Sequence, residues 1–253
     1  MKLGRLPADP AALQRAPQLV GHMQAAPPQL VLDRSHVPFV PAMDANDQIG
    51  DCTAVGIANA ARAMACLDGF GINIPTERVV AFYSASTGYD PANPATDQGG
   101  VELDVLGCQA SSGFDIGGQA PLVGAFATFN PADRATFANV MAKLGTAYLG
   151  VNLASADLDT SVVWDTTTPG DQTPGSWGGH CLIAWDYTGL GDTDTVRLAT
   201  WGTLQPCTWR WLEARCEEAH ALIWRQLMKT NALNFAGLDY DGLRATNLAW
   251  ADA

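Results

Sequence analysis

Positive charge is scarce in this 253-residue chain: 14 Lys and Arg stand against 26 Asp and Glu, giving a formal net charge of −12. That leaves no basic stripe for a phosphate backbone and no attraction to an anionic lipid surface, so neither nucleic acid nor membrane is an expected partner. Long apolar runs are missing as well. None approaches the length of a membrane span, and Met1–Arg5 lacks the apolar stretch of a secretory signal. The expected location is a host cytoplasm, or a particle assembled there. Cysteine is sparse for a disulfide scaffold: the six (52, 66, 108, 181, 207 and 216) form no Cys-x-x-Cys and lack zinc-ligand spacing. Reduced thiols are expected, with Cys207–Cys216 the one pairing worth checking, and no metal or other cofactor. The loop around Asp90, Asn93 and Asp97 and the Asp239–Gly242 fragment lack the ordered ligands of a calcium loop. Turn chemistry accounts for both.

What is present suits a globular protein. With 47% hydrophobic and 16% charged residues, the chain can bury a sizeable core in one large domain or two packed lobes. Seven prolines between Pro7 and Pro41 forbid long helices there and predict an extended surface strap. Helices are expected over 52–67, 75–85, 101–110, 133–144 and 213–228, the last carrying His220. Strands are expected over 146–153, from His180 to Tyr187 and from Val196 to Trp201.

One stretch combines chemistry with position. The polar turn Asn46-Asp47-Gln48-Ile49-Gly50-Asp51 runs into Cys52 and then into a nearly all-apolar, Ala-rich helix ending near Gly69. Asp51 is the expected N-cap, so Cys52 lies in the first turn, where the helix dipole and free N–H groups favour a thiolate. A cysteine nucleophile needs an imidazole brought from elsewhere in the chain. Of His22, His36, His180 and His220, His180 stands out: Gly178-Gly179 gives way to it at the head of a strand. Strand alternation points Cys181 away from His180, and sets Ala199 with Trp201 on one face and Thr200 on the other. Thr200 could then serve His180 only through a bulge or register shift.

In order and character these pieces resemble the papain-like cysteine peptidases. The resemblance places Cys52 on the nucleophile and His180 on the base. Asn46, six residues before Cys52, falls on the amide that helps bind the oxyanion. Trp201-Gly202 falls on the family's Trp-Gly pair, with Ala199 where the family has an Asn that orients the imidazole. Gly99-Gly100 corresponds to a Gly-Gly wall of the substrate cleft, beside Gly179. The motifs Gly4-Arg-Leu-Pro, Gly50-Asp-Cys52, Thr87-Gly-Tyr-Asp90 and Thr200-Trp-Gly202 look like those of papain-fold proteins encoded by bacteriophages and prophages.

The resemblance implies an α+β, papain-like two-lobed fold, in which a helical lobe with a buried nucleophile helix packs on an antiparallel β-barrel-like lobe. The expected parts are an arm over 1–40, a helical lobe over 41–120 with Cys52, a β-rich lobe over 121–228 with His180, and a tail over 229–253. It also implies a cysteine hydrolase acting on a protein or peptide, with Thr200, Trp201, Gly50 and Asp51 in support. Two other functions fit the same residues: a papain-fold virion component that binds neighbouring phage subunits, and a peptidoglycan amidase or endopeptidase of the lysin type. The proline-rich arm reads either as an inhibitory propeptide or as an uncleaved packing segment.

Overall fold

A computed structural model describes residues 1–225 and 237–251. The chain opens with a two-residue strand β1 (Arg5–Leu6), which pairs in parallel with β2 (Gly100–Val101). The remaining strands are β3 (Val123–Thr128), β4 (Ala147–Leu153), β5 (Gly178–Tyr187), β6 (Thr195–Thr200), β7 (Thr203–Thr208) and β8 (Cys216–Trp224). They form one antiparallel sheet in the order β3-β8-β4-β5-β6-β7. The helices are α1 (Pro10–Arg15), α2 (Cys52–Leu67), α3 (Thr76–Thr87), α4 (Glu102–Ser112), α5 (Arg134–Leu144), α6 (Trp209–Arg215) and α7 (Tyr240–Ala251).

The sheet divides two hydrophobic cores. On one face α2, α3 and α4 cover Cys181, Ile183, Trp185, Ala199 and Leu222. On the other, α5 and α6 cover Leu182, Ala184, Leu198, Ala221 and Ile223. The alternation of β5 and β8 therefore supplies apolar residues to both sides, as a doubly covered sheet requires. Helix α2 is nearly engulfed: fourteen of its sixteen residues are buried. Its small side chains let it approach β5 closely, and Gly56 marks the tightest point. A Cβ there would meet Tyr148 Cε2 at 2.8 Å and Cys181 Sγ at 3.1 Å. The helix ends where Gly69 adopts φ +87°.

Three expectations need correction. Residues 216–224 are not a helix: α6 stops at Arg215 and β8 follows as a central strand between β3 and β4, with His220 in the interior. The Glu and Ala residues favour helix locally, but pairing on both edges of β8 overrides that preference; residues 226–228 of the expected helix lie outside the described residues. The C-terminal segment is not only a turn. It forms α7, whose Asn247 accepts from Phe126 N and donates to Phe126 O, so the helix covers the edge strand β3. The N-terminal arm is more than a surface strap: Leu19 and Leu32 are core residues, and the buried Arg34 donates to the carbonyls of Gly145, Trp185 and Met141.

All six cysteines are free thiols, Cys207 and Cys216 among them.

Candidate active site

Cys52 is the first residue of α2, and Asp51 occupies the N-cap position. The Asp51 side chain makes no capping bond. It is fully buried, neither of its oxygens has a hydrogen bond of ordinary geometry, and burial pushes its carboxyl up to about 8. The thiol is sealed as well, at 1% exposure. Burial, with Asp51 and Glu102 adding to it, pushes the thiol up to about 12, although the backbone N–H groups of Cys181 and Gly4 aim at the sulfur and oppose the shift. The expected thiolate at a helix N-terminus is thus corrected for this conformation. The dipole is there, but exclusion of water and two nearby carboxyls outweigh it.

His180 opens the regular part of β5, at 1% exposure. Its Nε2 lies 2.6 Å from Thr200 Oγ1, and its ring stacks on Trp201 at 4.2 Å between centroids with planes 18° apart. With Oγ1 accepting from Nε2–H, the lone pair sits on Nδ1, the form a base requires. Nδ1 is buried and has no hydrogen-bond partner, so no hydrogen bond joins it to the Cys52 sulfur here. The sulfur lies instead against the backbone N–H of Cys181, the residue next to His180. Burial holds the imidazole down to about 3.

Thr200 reaches His180 through the irregularity that its position demanded. The β5–β6 register shifts between Ala184 and Asp186, so that Ile183 faces Ala199 and Ala184 faces Leu198. Thr200 then shares the His180–Leu182–Ala184 face, while Ala199 turns into the opposite core. Trp201 and Gly202, with φ +43° and +74°, form the two-residue turn between Thr200 and Thr203. Two successive positive φ values match a primed hairpin turn, in which Gly is at ease and Trp is strained. The turn carries the indole over the imidazole, and the stacking there helps offset that strain.

Asn46 is less free than its sequence position implied: its Nδ2 donates to Ile49 O at 3.2 Å and its amide lies beside Asp51. Gly50, Gly99, Gly100 and Gly179 lie along a groove that the chain's own N-terminal segment fills. Gly100 N donates to Gly4 O at 2.7 Å, and Lys2 N donates to Asn46 O at 2.9 Å. A Cβ on Gly4 would overlap the Gly50 carbonyl, one on Gly99 would overlap Gly4 O, and one on Gly179 would overlap Arg5 O. Lys2 pairs with Asp97, whose carboxylate also accepts from Gly50 N and Tyr83 Oη.

Beyond the groove lies a buried polar cluster that the sequence alone did not flag. Arg5, with its side chain fully buried, donates to Asn152 Oδ1 at 3.1 Å, to Glu217 Oε2 at 2.9 Å and to Glu218. Glu102 and His220 complete the set, with His220 Nε2 3.4 Å from Glu102 Oε2. Among the described residues, Glu102, Glu218 and His220 bring three ligand-type atoms within 4.8 Å of one another, and the Arg5 guanidinium is the cation that balances them. The one sequence cue was the adjacent acids Glu217-Glu218 two residues before His220.

No protein-family model and no curated protein matches this chain. Among solved structures it is similar to xylellain, a cysteine protease from Xylella fastidiosa, with a TM-score of 0.51 and 12% identity over 87% of this chain and 95% of that one. It is also similar to digestive procathepsin L 3 of Tenebrio molitor larval midgut, with a TM-score of 0.53 and 12% identity over 84% of this chain and 77% of that one. The cysteine protease and lectin-like domains of Cwp84 from Clostridium difficile give 0.53 and 8%, over 79% of this chain and 53% of that one. These likenesses show the fold: a papain-like α+β architecture.

Proposed function

We propose that the chain is a thiol hydrolase of peptide or amide bonds, with Cys52 as nucleophile and His180 as its base, and that the conformation described is its latent form. The observation that carries this reading is the setting of His180: one nitrogen tied to Thr200, one face stacked on Trp201 and the other nitrogen left without a partner, while the backbone N–H of the next residue, Cys181, aims at the Cys52 sulfur. A buried imidazole kept in one orientation with a spare lone pair is costly for a merely structural residue. In the working form, Lys2–Leu6 leave the groove, and the described parts of the two expected lobes, 41–120 and 121–225, act as its two walls. His180 Nδ1 takes the thiol proton and the thiolate attacks the carbonyl carbon. The Cys52 N–H and the Asn46 amide steady the oxyanion, and the imidazolium gives its proton to the leaving amine. Water, deprotonated by His180, then breaks the thioester and releases the acid.

Labelling tests it. In a Gly4→Ala variant, whose N-terminus cannot seat against Gly50, an epoxysuccinyl alkylator should modify Cys52 ahead of the half-exposed Cys66 and Cys108. Amide hydrolysis by that variant should vanish with Cys52→Ala. Equal labelling of all cysteines, together with activity indifferent to Cys52→Ala, would overturn the reading.

The sealed thiol favours a second reading, a papain-fold protein that binds neighbouring subunits, of which a phage particle component is the specific form. Its recovery by mass spectrometry from purified phage particles, with no hydrolysis by Gly4→Ala, would establish that role instead.

A further inference from the structure

The groove and the acidic cluster are two parts of one feature. The walls over Cys52 are glycines at each closest approach, which is what admits an extended main chain, and the occupant binds by strand pairing: Arg5 sits opposite Gly100 and Leu6 opposite Val101. The side chain at the position opposite Gly100 then drops into a recess. Its floor is Gly150, where a Cβ would strike Arg5 Nε at 2.6 Å and Glu102 Oε1 at 2.8 Å. Its walls are Glu102, at the head of α4, and Asn152, Glu217 and Glu218 from β4 and β8.

The recess has the marks of a binding pocket. On a regular strand Glu217 and Glu218 would face opposite sides of the sheet. The β4–β8 register shifts between Gly150 and Val151, so Gly150 faces Glu218 while Val151 faces Cys216. Glu217 is the extra residue, and that irregularity lets both carboxylates reach one guanidinium. The pocket also offers acceptors beyond those Arg5 uses: both Glu102 oxygens and Glu218 Oε2 are buried without a hydrogen bond of ordinary geometry, with His220 Nε2 at 3.4 Å from Glu102 Oε2 and 3.8 Å from Glu218 Oε2, and Arg5 Nε is unpartnered too. Buried carboxylates that lose a cation are expensive, and with Arg5 gone only the His220 imidazole faces them, so positive charge is favoured in whatever replaces Arg5. Acceptors converging on both terminal nitrogens from different walls suit the planar fork of a guanidinium better than an ammonium point charge.

We propose that the Glu102–Glu218 recess is the specificity pocket of the groove, and that the substrate is a polypeptide presenting an arginine side chain where Arg5 now lies. This rests on reading the groove as a substrate cleft. Arg5 is then a resident surrogate. The segment that carries it joins the core-anchored strap through α1, which has no fully buried residue and touches the core only through the partly buried Ala12 and Leu13.

The test uses the full chain carrying Arg5→Ala, to vacate the pocket, and Cys52→Ala, to prevent turnover. Binding of fluorescent acetyl-Leu-Gly-Arg-Leu-amide is compared with that of the same peptide bearing Leu in place of Arg, by anisotropy. The arginine peptide should bind at least about tenfold more tightly, the range of a buried charge-assisted contact. Adding Glu218→Gln or Glu102→Gln should bring the two peptides within about twofold. Equal binding of the two peptides, or a preference that survives both Gln substitutions, overturns the proposal. Should Arg5→Ala fold poorly, ethylguanidinium supplies the check: a saturable rise in Tm that ethylammonium does not reproduce supports the pocket, and no rise refutes it. Because neither readout uses the thiol, a chain that selects arginine but never hydrolyses keeps this pocket and loses the hydrolase reading.

Discussion

At the scale of single residues, buried polar groups decide the behaviour of the site. Asp51 is the sharpest case. Its carboxyl, raised to about 8 by burial, gives stability that is fully present below the ordinary carboxylate range and lost as pH rises towards 8. Asp51→Asn keeps the shape and removes that liability. It should raise stability at pH 8 by on the order of 1–3 kcal/mol, with little change at pH 4, as read from urea unfolding at both values. It should also bring the Cys52 thiol down, because Asp51 is one of the charges holding it up. His180 has the opposite sign. Held down to about 3, it binds its proton more readily unfolded, so stability falls as pH drops from about 6.5 towards 3, by at most about 1.4 kcal/mol per unit. A His180→Gln variant should show a shallower acid limb over that window. Thr200→Val removes the partner of Nε2 while conserving shape. The expected loss is about tenfold in kcat, with KM little changed, if the hydrogen bond orients the base.

At the scale of elements, α2 and the β5–β6–β7 hairpins set the geometry. The close seat of α2 on β5 runs against helix propensity, since Gly56 lies inside the helix. Gly56→Ala would improve propensity by about 1 kcal/mol but press a methyl onto Tyr148 and Cys181. Overpacking should win. Net destabilisation of about 1–3 kcal/mol is expected in chemical denaturation, and a gain in stability would show that the helix is free to lift from the sheet. The register shift in β5 matters as much. Without it Ala199 would take the place of Thr200 beside His180, and the imidazole would have no partner on that side. Sequence alternation could name the two possibilities, but only strand pairing chose between them.

At the scale of the whole molecule, residues 1–40 are a belt wrapped over the rest of the chain. Its middle is fixed by Leu19, Leu32 and Arg34, and its tip by Asp97 and the Arg5 cluster. Between them, residues 7–15 are mostly exposed. A protease acting on the native protein should therefore cut there first, and Cys52 alkylation should accelerate after the cut while the sheet and its helices stay cooperative in thermal unfolding. Cleavage that starts elsewhere, or that melts the whole protein, would show that the tip cannot part from the rest.

Local pattern was enough to reveal the buried helix after Cys52 and the strand that begins at His180, because periodicity and capping act over a few residues; it ran the next strand on to Trp201, which instead lies in the turn after Thr200. It misread β8 and α7, where pairing and packing with distant segments overrode local preference. What only tertiary structure decided is who meets whom. Thr200 rather than Ala199 faces the imidazole because of one register shift. Arg5 meets Glu102 and Glu218 because a parallel strand pair lays the N-terminus across the groove. The thiol is protonated rather than activated because that same segment excludes water from it. Each of these is a contact between residues far apart in the chain or a consequence of burial, and neither separation in space nor exclusion of solvent is written in the order of residues.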